Sequence, residues 1–535
     1  MPSPDDPLTS DEEDLSRLGY TQQLLREMGG FSNFAISFSV ISILTGAVLL
    51  YGYGLRLAGP IVNTVGWPLV SVMTLAVAAS MAELASLYPT AGGLYFWAFR
   101  LGGRGWAFTT AWLNMIGQVT ITAGIEIAAA IYLIGTTTRL LGLPPDAPLP
   151  FFGSATSWSF QLFIMVLILI PQVAINVFGI RATMRLGDFS AWWHMVGGAL
   201  IVVLLLFLGT QKNPASFLTR FAPAATPLEV SSAKLPNGQI APALVVGDRA
   251  FPSPLFALFP GLKSLYAAGP FALAFVLSLL QAQWTYTGYD ASAHVAEETK
   301  LARLNSAWGV FLSVAVSAVV GWVLLLALTW RIPGGDIART AADPYPVLQI
   351  VDGNLPRGLA NLVAIVIGGA MWLCGLSSIT SMGRMWYAFA RDGGMPGSGL
   401  LSRVHPRWRT PVPAILVTSA LSVAICIYAA AVAVVTSIST IALYLAYGLP
   451  IFLNARNRVR GRGVFATPQS APWNLGRWAP AVNVVAVLWV GFVAVVFCLP
   501  PNELVLWTML LFGLALLFYW LGSARQHFRG PAGAA

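Results

Sequence analysis

Two Thr-Gly pairs interrupt apolar stretches that are otherwise suited to form membrane helices. Thr45-Gly46 lies midway along SFSVISILTGAVLLYGYGL, and Thr287-Gly288 lies within QAQWTYTGYDASAHVAEET, where Asp290 follows two residues later. Glycine loosens a helix, and a charge inside a bilayer needs a partner or water. Such interruptions are tolerated where unwound backbone lines a cavity. The pattern therefore predicts two broken helices whose freed peptide groups bind a small charged solute.

The composition is that of an integral membrane protein. Of the 535 residues, 57% are hydrophobic and only 10% are charged, whereas soluble proteins carry roughly 25% charged residues. The net charge of +9 comes from lysines and arginines in short segments between apolar runs, which is a topology signal and not a nucleic-acid-binding face. Cys374, Cys426 and Cys498 lie in separate apolar runs without metal-type spacing.

No catalytic motif accompanies this pattern. The chain lacks the phosphate-binding G-x-x-x-x-G-K-[ST] sequence, so ATP is not expected to act on it directly. It also lacks the H-E-x-x-H and G-x-S-x-G sequences of metalloproteases and of serine hydrolases. We therefore expect neither an enzyme nor a bound cofactor.

Twelve apolar runs are long enough to cross about 30 Å of hydrocarbon, which takes about 20 residues. Most of the 30 lysines and arginines fall in alternate segments, beginning with the N-terminal one, so both termini are expected in the cytoplasm of a protein in the cytoplasmic membrane. The acidic first 30 residues lack an apolar signal-peptide core. The predicted spans are 31–58, 66–88, 106–135, 159–179, 188–209, 271–292, 305–330, 358–388, 411–431, 433–454, 480–499 and 503–523.

The two breaks divide the chain into related halves. They fall in spans 1 and 6, and five helices followed by five more form an inverted repeat because an odd number of spans flips the second copy. A flexible glycine within an unbroken helix is the alternative. The expected all-α organisation is a tail (1–30), a first repeat (31–209), an outer loop (210–268), a second repeat (269–455), a basic inner loop (456–479), two extra helices (480–523) and a second tail (524–535).

Two outer loops have features of their own. The segment 210–268 is rich in proline and glycine and contains the turn sequence LPNGQ, so it is expected to be a lid-like or surface piece. The segment 331–357 predicts a short helix over 345–351. A structural cover and an external gate are both compatible with that second loop, and its place beside span 8 favours a gate.

Three separated motifs resemble those of the amino acid-polyamine-organocation superfamily. They are WTYTGYDASAHVAEET in span 6, MAELASLYPTAGGLYFWAF at 81–99 and GRMWYAFARDGGMP at 383–396. The branch they are most similar to contains amino acid and choline transporters, including GABA and choline permeases. The resemblance implies a fold like that of the bacterial leucine transporter, which works by alternating access, and it leaves the identity of the amine open.

The broken helices supply the candidate substrate-binding residues. The break in span 1 is expected over 42–48, beginning at Ser42, and the N–H groups of Thr45, Gly46 and Ala47 are candidates for a substrate carboxylate because they begin a new half-helix. On span 6, carbonyls around Thr287 and Gly288 can accept from an ammonium group. Aromatic faces there can attract a cation, and the candidates for that role are Trp284, Tyr286 and Tyr289.

Two carboxylates are candidates for the countercharge of the amine. Asp290 follows the break in span 6, and a structural role within that helix is the alternative. Glu126 is a lone carboxylate near the middle of span 3, and acidic residues inside membrane spans are functional more often than not. The resemblance implies that span 3 borders the pocket.

Coupling to an ion has two candidate arrangements. In many related permeases a lysine in span 5 replaces a sodium ion, but His194 stands at what corresponds to that position here. An imidazole gains and loses a proton near neutral pH, so His194 predicts proton coupling, with a neutral core histidine as the alternative. Sodium coupling through hydroxyls of span 8 is the rival, and these are Ser377, Ser378, Thr380 and Ser381.

The sequence thus predicts a secondary active permease in a lipid bilayer. Its expected substrate is an amino acid or a related amine such as GABA, carried with a proton, and no nucleic-acid partner is expected. A choline, quaternary-amine or polyamine carrier, sodium-coupled transport, and an amine sensor that binds without transport are the alternatives.

Overall fold

A computed structural model describes most of the chain. It covers residues 11–221, 228–234, 240–246, 249–429, 432–461 and 471–531. The LPNGQ turn at 235–239 and the part of the basic inner loop at 462–470 lie outside the described residues.

Every predicted span coincides with helical structure, and we number the helices 1 to 12 accordingly. Helix 1 comprises Gly30–Ile41, Gly46–Leu49 and Tyr51–Ala58, and helix 6 comprises Pro270–Ser278, Leu280–Thr285 and Ala291–His294. The others are helix 2 (Trp67–Leu87), helix 3 (Arg104–Leu140), helix 4 (Trp158–Phe178), helix 5 (Ile180–Leu208), helix 7 (Ala302–Trp330), helix 8 (Arg357–Arg391), helix 9 (Val412–Ala429), helix 10 (Val432–Val459), helix 11 (Ala479–Val496) and helix 12 (Glu503–Tyr519).

The polytopic all-α class is confirmed, whereas the count of twelve spans is not. Within the described residues, ten helices are long and apolar enough to cross a bilayer. An eleventh arises if Pro260–Ala268 and Pro270–Thr285, which meet at 94°, form one span. The apolar helix Val412–Tyr428 is too short to count among these ten, so helix 9 is not confirmed as a span.

The loops carry the remaining secondary structure. Strands β1 (Pro148–Leu149) and β2 (Gly153–Ser154) form a hairpin between helices 3 and 4. The loop between helices 5 and 6 contains an antiparallel sheet of β3 (Glu229–Lys234), β4 (Ile240–Val246) and β5 (Arg249–Pro252), in that order. The predicted short helix in the loop between helices 7 and 8 is present as Pro346–Asp352.

Helix 3 is the central element and packs on helices 8 and 10. Glycines on its surface let those neighbours approach closely. A Cβ at Gly117 would lie 2.5 Å from the Cγ atom of Leu443, and one at Gly124 would lie 2.9 Å from the Trp284 ring. Small residues at helix contacts are the usual means of close packing in membranes, and here they bring helix 6 against helix 3.

Candidate functional site

Helix 1 is broken where the first Thr-Gly pair predicted it. The first half ends at Ile41, Ser42 adopts a left-handed conformation with φ of 33°, and helical structure resumes at Gly46. Thr45 and Gly46 both donate their N–H groups to the carbonyl of Ser42, at 2.8 and 3.0 Å. Within the described residues, the N–H of Ala47 has no such acceptor, so of the three predicted carboxylate donors it is the one left free.

Helix 6 is interrupted at 286–290. Gly288 has a φ of 86°, and any side chain there would collide with Val40 of helix 1. Glycine is therefore needed at this position both for the backbone conformation and for the contact between the two broken helices.

The unwound peptide groups of helix 6 are held by hydroxyls from neighbouring helices. The hydroxyl of Tyr447 accepts from the N–H of Gly288 at 3.0 Å, and that of Tyr444 donates to the carbonyl of Tyr286 at 3.1 Å. Ser37 of helix 1 donates to the carbonyl of Tyr289 at 2.8 Å. These contacts replace the helical hydrogen bonds that the break removes.

A small cavity of about 10 Å³, roughly the room of one water molecule, lies between the two breaks. A Cβ on Gly46 would come within 2.5 Å of the Thr285 hydroxyl, so the two helices touch at its edge. Helix 3 contributes Ile121 and Ile125, which share a face because they are four residues apart. The lining consists of Val40, Ile41, Thr45, Gly46, Ile121, Ile125, Trp284, Thr285 and Thr287.

Only some of the predicted substrate residues line this cavity. Thr45, Gly46, Trp284 and Thr287 do so. Trp284 is fixed in place because its Nε1–H donates to Ser439 of helix 10 at 3.0 Å. The other predicted residues are buried but do not line the cavity, and they are Ser42, Ala47, Glu126, Tyr286, Gly288, Tyr289 and Asp290.

Asp290 is fully engaged with protein groups. Its Oδ2 accepts from the amides of Asn114 and Gln118 of helix 3, at 2.8 and 3.0 Å, and from Nε2 of His294 at 3.0 Å. Its Oδ1 accepts from the hydroxyl of Tyr447 at 2.9 Å. Asp290 is buried and accepts four hydrogen bonds from protein groups, three at Oδ2 and one at Oδ1, so the geometry favours the structural alternative for this residue.

His294 completes this buried network. Its Nδ1 lies 3.0 Å from the carbonyl of Ala91, and its Nε2 lies 3.0 Å from Asp290. A carbonyl only accepts, so Nδ1 carries a hydrogen. If Asp290 is ionised, Nε2 carries one as well, and the two side chains form an imidazolium–carboxylate pair inside the protein.

Glu126 faces a different set of neighbours. It is buried, and a Cβ on Gly375 of helix 8 would collide with its carboxylate. The amide of Gln172 of helix 4 lies beside the same glycine. Helix 3 thus turns its isoleucines toward the cavity and its carboxylate toward helices 4 and 8.

His194 contacts the break in helix 1 directly. Its Nε2 lies 2.7 Å from the hydroxyl of Ser42, which lies 2.6 Å from that of Thr45. Its Nδ1 lies 2.7 Å from the carbonyl of Ser190, so Nδ1 carries a hydrogen. Nε2 accepts from Ser42 when the ring is neutral and donates to it when the ring is protonated.

The hydroxyls of helix 8 reach different helices. Ser378 pairs with Thr122 of helix 3 at 2.7 Å, and Thr380 donates to Asn176 of helix 4 at 2.7 Å. Ser381 is buried without a hydrogen-bond partner in the described residues, and Ser377 is buried too. Within the described residues no hydrogen bond joins these four side chains to one another, so they do not form a single ligand set.

Ion pairs seal the side that the charge distribution places in the cytoplasm. Arg384 contacts both carboxylate oxygens of Glu298, at 3.1 and 3.2 Å, and Arg391 contacts both of Glu297, at 3.0 Å each. Burial raises the pKa of the Glu297 carboxyl, but the charge of Arg391 and its hydrogen bonds outweigh it and hold that pKa below its ordinary value. The N-terminal segment covers these pairs, with the ring of Tyr20 4.0 Å from the guanidinium of Arg391.

The opposite side is closed by aromatic packing. The hydroxyl of Tyr132 donates to the carbonyl of Val48 on helix 1 at 3.2 Å. Tyr345, at the start of the short helix in the loop between helices 7 and 8, packs edge-on against Tyr132 with ring centroids 5.9 Å apart. Tyr132 and Tyr345 thus cover the backbone of helix 1 on this side.

The comparisons with known proteins agree with this architecture. The amino acid permease family model matches residues 28–521, nearly the whole chain. The chain belongs to the amino acid permease family. This permease is 33% identical to the amino-acid permease BAT1 of Arabidopsis thaliana, over 97% of its own length and 95% of the relative's. It is 32% identical to the BAT1 homolog of Oryza sativa subsp. japonica, with coverages of 97% and 94%. It is also 26% identical to a putative polyamine transporter of Candida albicans, with coverages of 98% and 89%.

Sequence reasoning did not find every residue of the permease site. It missed Tyr444 and Tyr447, which hold the unwound part of helix 6, and Asn114, Gln118 and His294, which hold Asp290. The sequence signal that could have identified some of them is the spacing of polar residues along a helix. Two tyrosines three residues apart on helix 10, and two amides four residues apart on helix 3, each mark one face of an otherwise apolar helix.

Proposed function

We propose that the permease is a secondary active transporter that carries a small amino acid or related amine, such as GABA, across the cytoplasmic membrane with a proton. The observation that carries this proposal is the meeting of the two broken helices around a small cavity, with ion pairs at one end and a tyrosine pair at the other. In this proposal those contacts close the site from both sides at once, a state that alternating access requires. A continuous channel would have no such state.

The cavity chemistry suits a molecule with one carboxylate and one ammonium group. Its lining holds hydroxyls and one indole but no charged side chain. The hydroxyl of Thr45 lies in the lining at the start of a half-helix, where an anion is favoured, and the free N–H of Ala47 follows two residues later, outside the lining. The face of Trp284 and nearby carbonyls offer a place for a cation. A zwitterion can place its carboxylate and its ammonium group at these two positions. It requires no charged side chain in the cavity, because its own charges cancel.

The other amine classes are supported less well. A quaternary amine is held by several aromatic walls, and Trp284 is the one aromatic residue in the lining. A polyamine carries several positive charges and requires carboxylates. Asp290 is occupied by four donors, and Glu126 faces Gly375 instead of the cavity.

Proton coupling rests on the contact between His194 and Ser42. A proton gained at Nε2 reverses that hydrogen bond and places a positive charge beside the break in helix 1, next to the position proposed for the substrate carboxylate. The sodium alternative requires hydroxyls that converge, and those of helix 8 point to helices 3 and 4. The geometry therefore favours the proton.

Uptake into proteoliposomes tests this proposal. A panel of labelled amino acids, GABA, choline and polyamines would be offered with pH and sodium gradients imposed separately. We expect accumulation of a small amino acid driven by the pH gradient alone. Accumulation that needs sodium would overturn the coupling, and accumulation of choline or a polyamine alone would overturn the substrate class. Counterflow separates a carrier from a sensor, because only a carrier exchanges internal for external substrate.

A further inference from the structure

A charged vestibule lies on the face that the charge distribution places outside. It has a volume of about 770 Å³ and lies between the end of helix 3 and the loop that joins helices 7 and 8. Its ionisable lining residues are Arg139, Arg339, Asp343, Asp352 and Arg357. Nothing in the transport mechanism described above uses these groups.

The carboxylates of the vestibule are already engaged, whereas two of its arginines are not. Asp352 forms an ion pair with Arg139, and Asp343 accepts the N–H of Tyr345 at 2.7 Å. Arg339 and Arg357 are exposed, and within the described residues their side chains make no ion pair or hydrogen bond. The vestibule therefore presents two free guanidinium groups to the solvent.

A chain of contacts links the vestibule to the cavity. Tyr345 lines the vestibule and packs on Tyr132, whose hydroxyl donates to the carbonyl of Val48. Val48 lies two residues beyond Gly46, which lines the cavity. The two tyrosines thus lie between the vestibule and the helix 1 backbone next to the cavity.

We propose that Arg339 and Arg357 form an outer capture site for the carboxylate of the transported amino acid. Guanidinium groups bind carboxylates with charge-assisted, directional hydrogen bonds. The three arginines of the lining outnumber its two carboxylates, so the vestibule has a net positive charge that attracts the carboxylate end of a solute. The site rests on the proposed function, since it assumes a substrate with a carboxylate. It explains how a cavity without charged side chains is supplied with a charged substrate.

The test compares initial uptake rates at two ionic strengths. In the double variant Arg339→Gln/Arg357→Gln, we expect KM to rise about fivefold at roughly 10 mM salt, because screening is weak there. At roughly 0.3 M salt the difference should shrink to less than about twofold, because the Debye length falls well below 10 Å. We expect kcat to stay unchanged, since the cavity and both seals are untouched. Both arginines are exposed, and an unchanged Tm would show that the fold is intact.

Two controls make the result specific. Lys263→Gln removes an exposed positive charge from the helix Pro260–Ala268, outside the vestibule lining, and should leave KM unchanged. The carboxamide analogue of the transported amino acid lacks the carboxylate. Tested as an uptake competitor, it should have the same inhibition constant for the double variant and for the unmodified protein. An unchanged KM for the double variant at low salt, or an equal rise in Lys263→Gln, would overturn the capture site while leaving the proposed function standing. Absence of amino acid uptake by the unmodified protein would instead reject the proposed function.

Discussion

The hydroxyl of Ser42 lies 2.7 Å from Nε2 of His194. Ser42 has a φ of 33° and begins the break in helix 1, so this hydrogen bond joins helix 5 to the point where helix 1 loses its regular structure. The carbonyl of Ser190 holds the other ring nitrogen and fixes the orientation of the imidazole. A change in the charge of the His194 ring therefore acts directly on Ser42, where helix 1 is interrupted.

Replacing His194 by alanine should abolish accumulation driven by a pH gradient, because His194 is the imidazole that contacts the break in helix 1. Exchange of substrate without a gradient should persist. His405→Ala is the matched control, since His405 stacks on Trp408 in the loop between helices 8 and 9, far along the chain from either break. Accumulation that persists in His194→Ala and collapses without sodium would show that the coupling assignment is wrong.

Gly46→Ala should reduce transport by about fivefold or more, because overpacking at a tight contact costs about 1–3 kcal/mol and about 1.4 kcal/mol corresponds to a tenfold change. The added methyl group would meet the hydroxyl, Cα and Cβ of Thr285, the closest at 2.5 Å, and would push the two broken helices apart. Gly368→Ala on helix 8 is the control, since a Cβ there meets nothing within 4 Å. Normal uptake by Gly46→Ala would mean that the two breaks do not need this contact.

Asp290→Asn and His294→Gln should each destabilise the protein by about 3–5 kcal/mol, because each leaves a buried partner uncompensated. The double variant should lose less than the sum of the two, since the uncompensated charge is removed. Thermal unfolding in detergent measures these differences. For any variant that folds, we expect the KM of the substrate to change less than about twofold, because losing contacts outside the cavity costs little binding energy. A large rise in KM with normal stability would instead show that the Asp290 carboxylate contacts the substrate amine directly.

Arg391→Gln should open the cytoplasmic seal, because it removes the partner of Glu297 while leaving the pair of Glu298 and Arg384 in place. Reaction of a cysteine introduced at Thr45 with a thiol reagent supplied from the inside reports the opening. In the unmodified protein, acid should have the same effect. The folded pKa of Glu297 is below its ordinary value, so its contribution to closure is complete at neutral pH and is lost as the pH falls through that lowered pKa. If the introduced cysteine does not react with the reagent in Arg391→Gln, the pair of Glu298 and Arg384 is sufficient to close this side.

Local sequence was enough to predict the helices and their interruptions. The breaks at 42–45 and 286–290 fall where the Thr-Gly pairs placed them, and the short helix Pro346–Asp352 follows the predicted 345–351 closely. Hydrophobic runs and glycines act on their own stretch of backbone, so these features do not depend on the rest of the chain. The number of spans did not follow from the sequence in the same way. The apolar helix Val412–Tyr428 is short, and two helices meet at 94° before helix 6, so hydrophobic length alone does not determine how many segments cross the bilayer.

The rotation of each helix about its axis was settled only by the tertiary structure. It turns Ile121 and Ile125 toward the cavity and Glu126 toward Gly375, although all three lie in one turn and a half of helix 3. It also brings Tyr444 and Tyr447 of helix 10 to the unwound part of helix 6, and two amides of helix 3 to Asp290. Sequence by itself determined that this is a membrane protein with two broken helices, because burial in lipid and helix breaking are local properties. Which side chains meet at the breaks was decided by the packing of helices distant in the chain, and hydropathy carries no record of that.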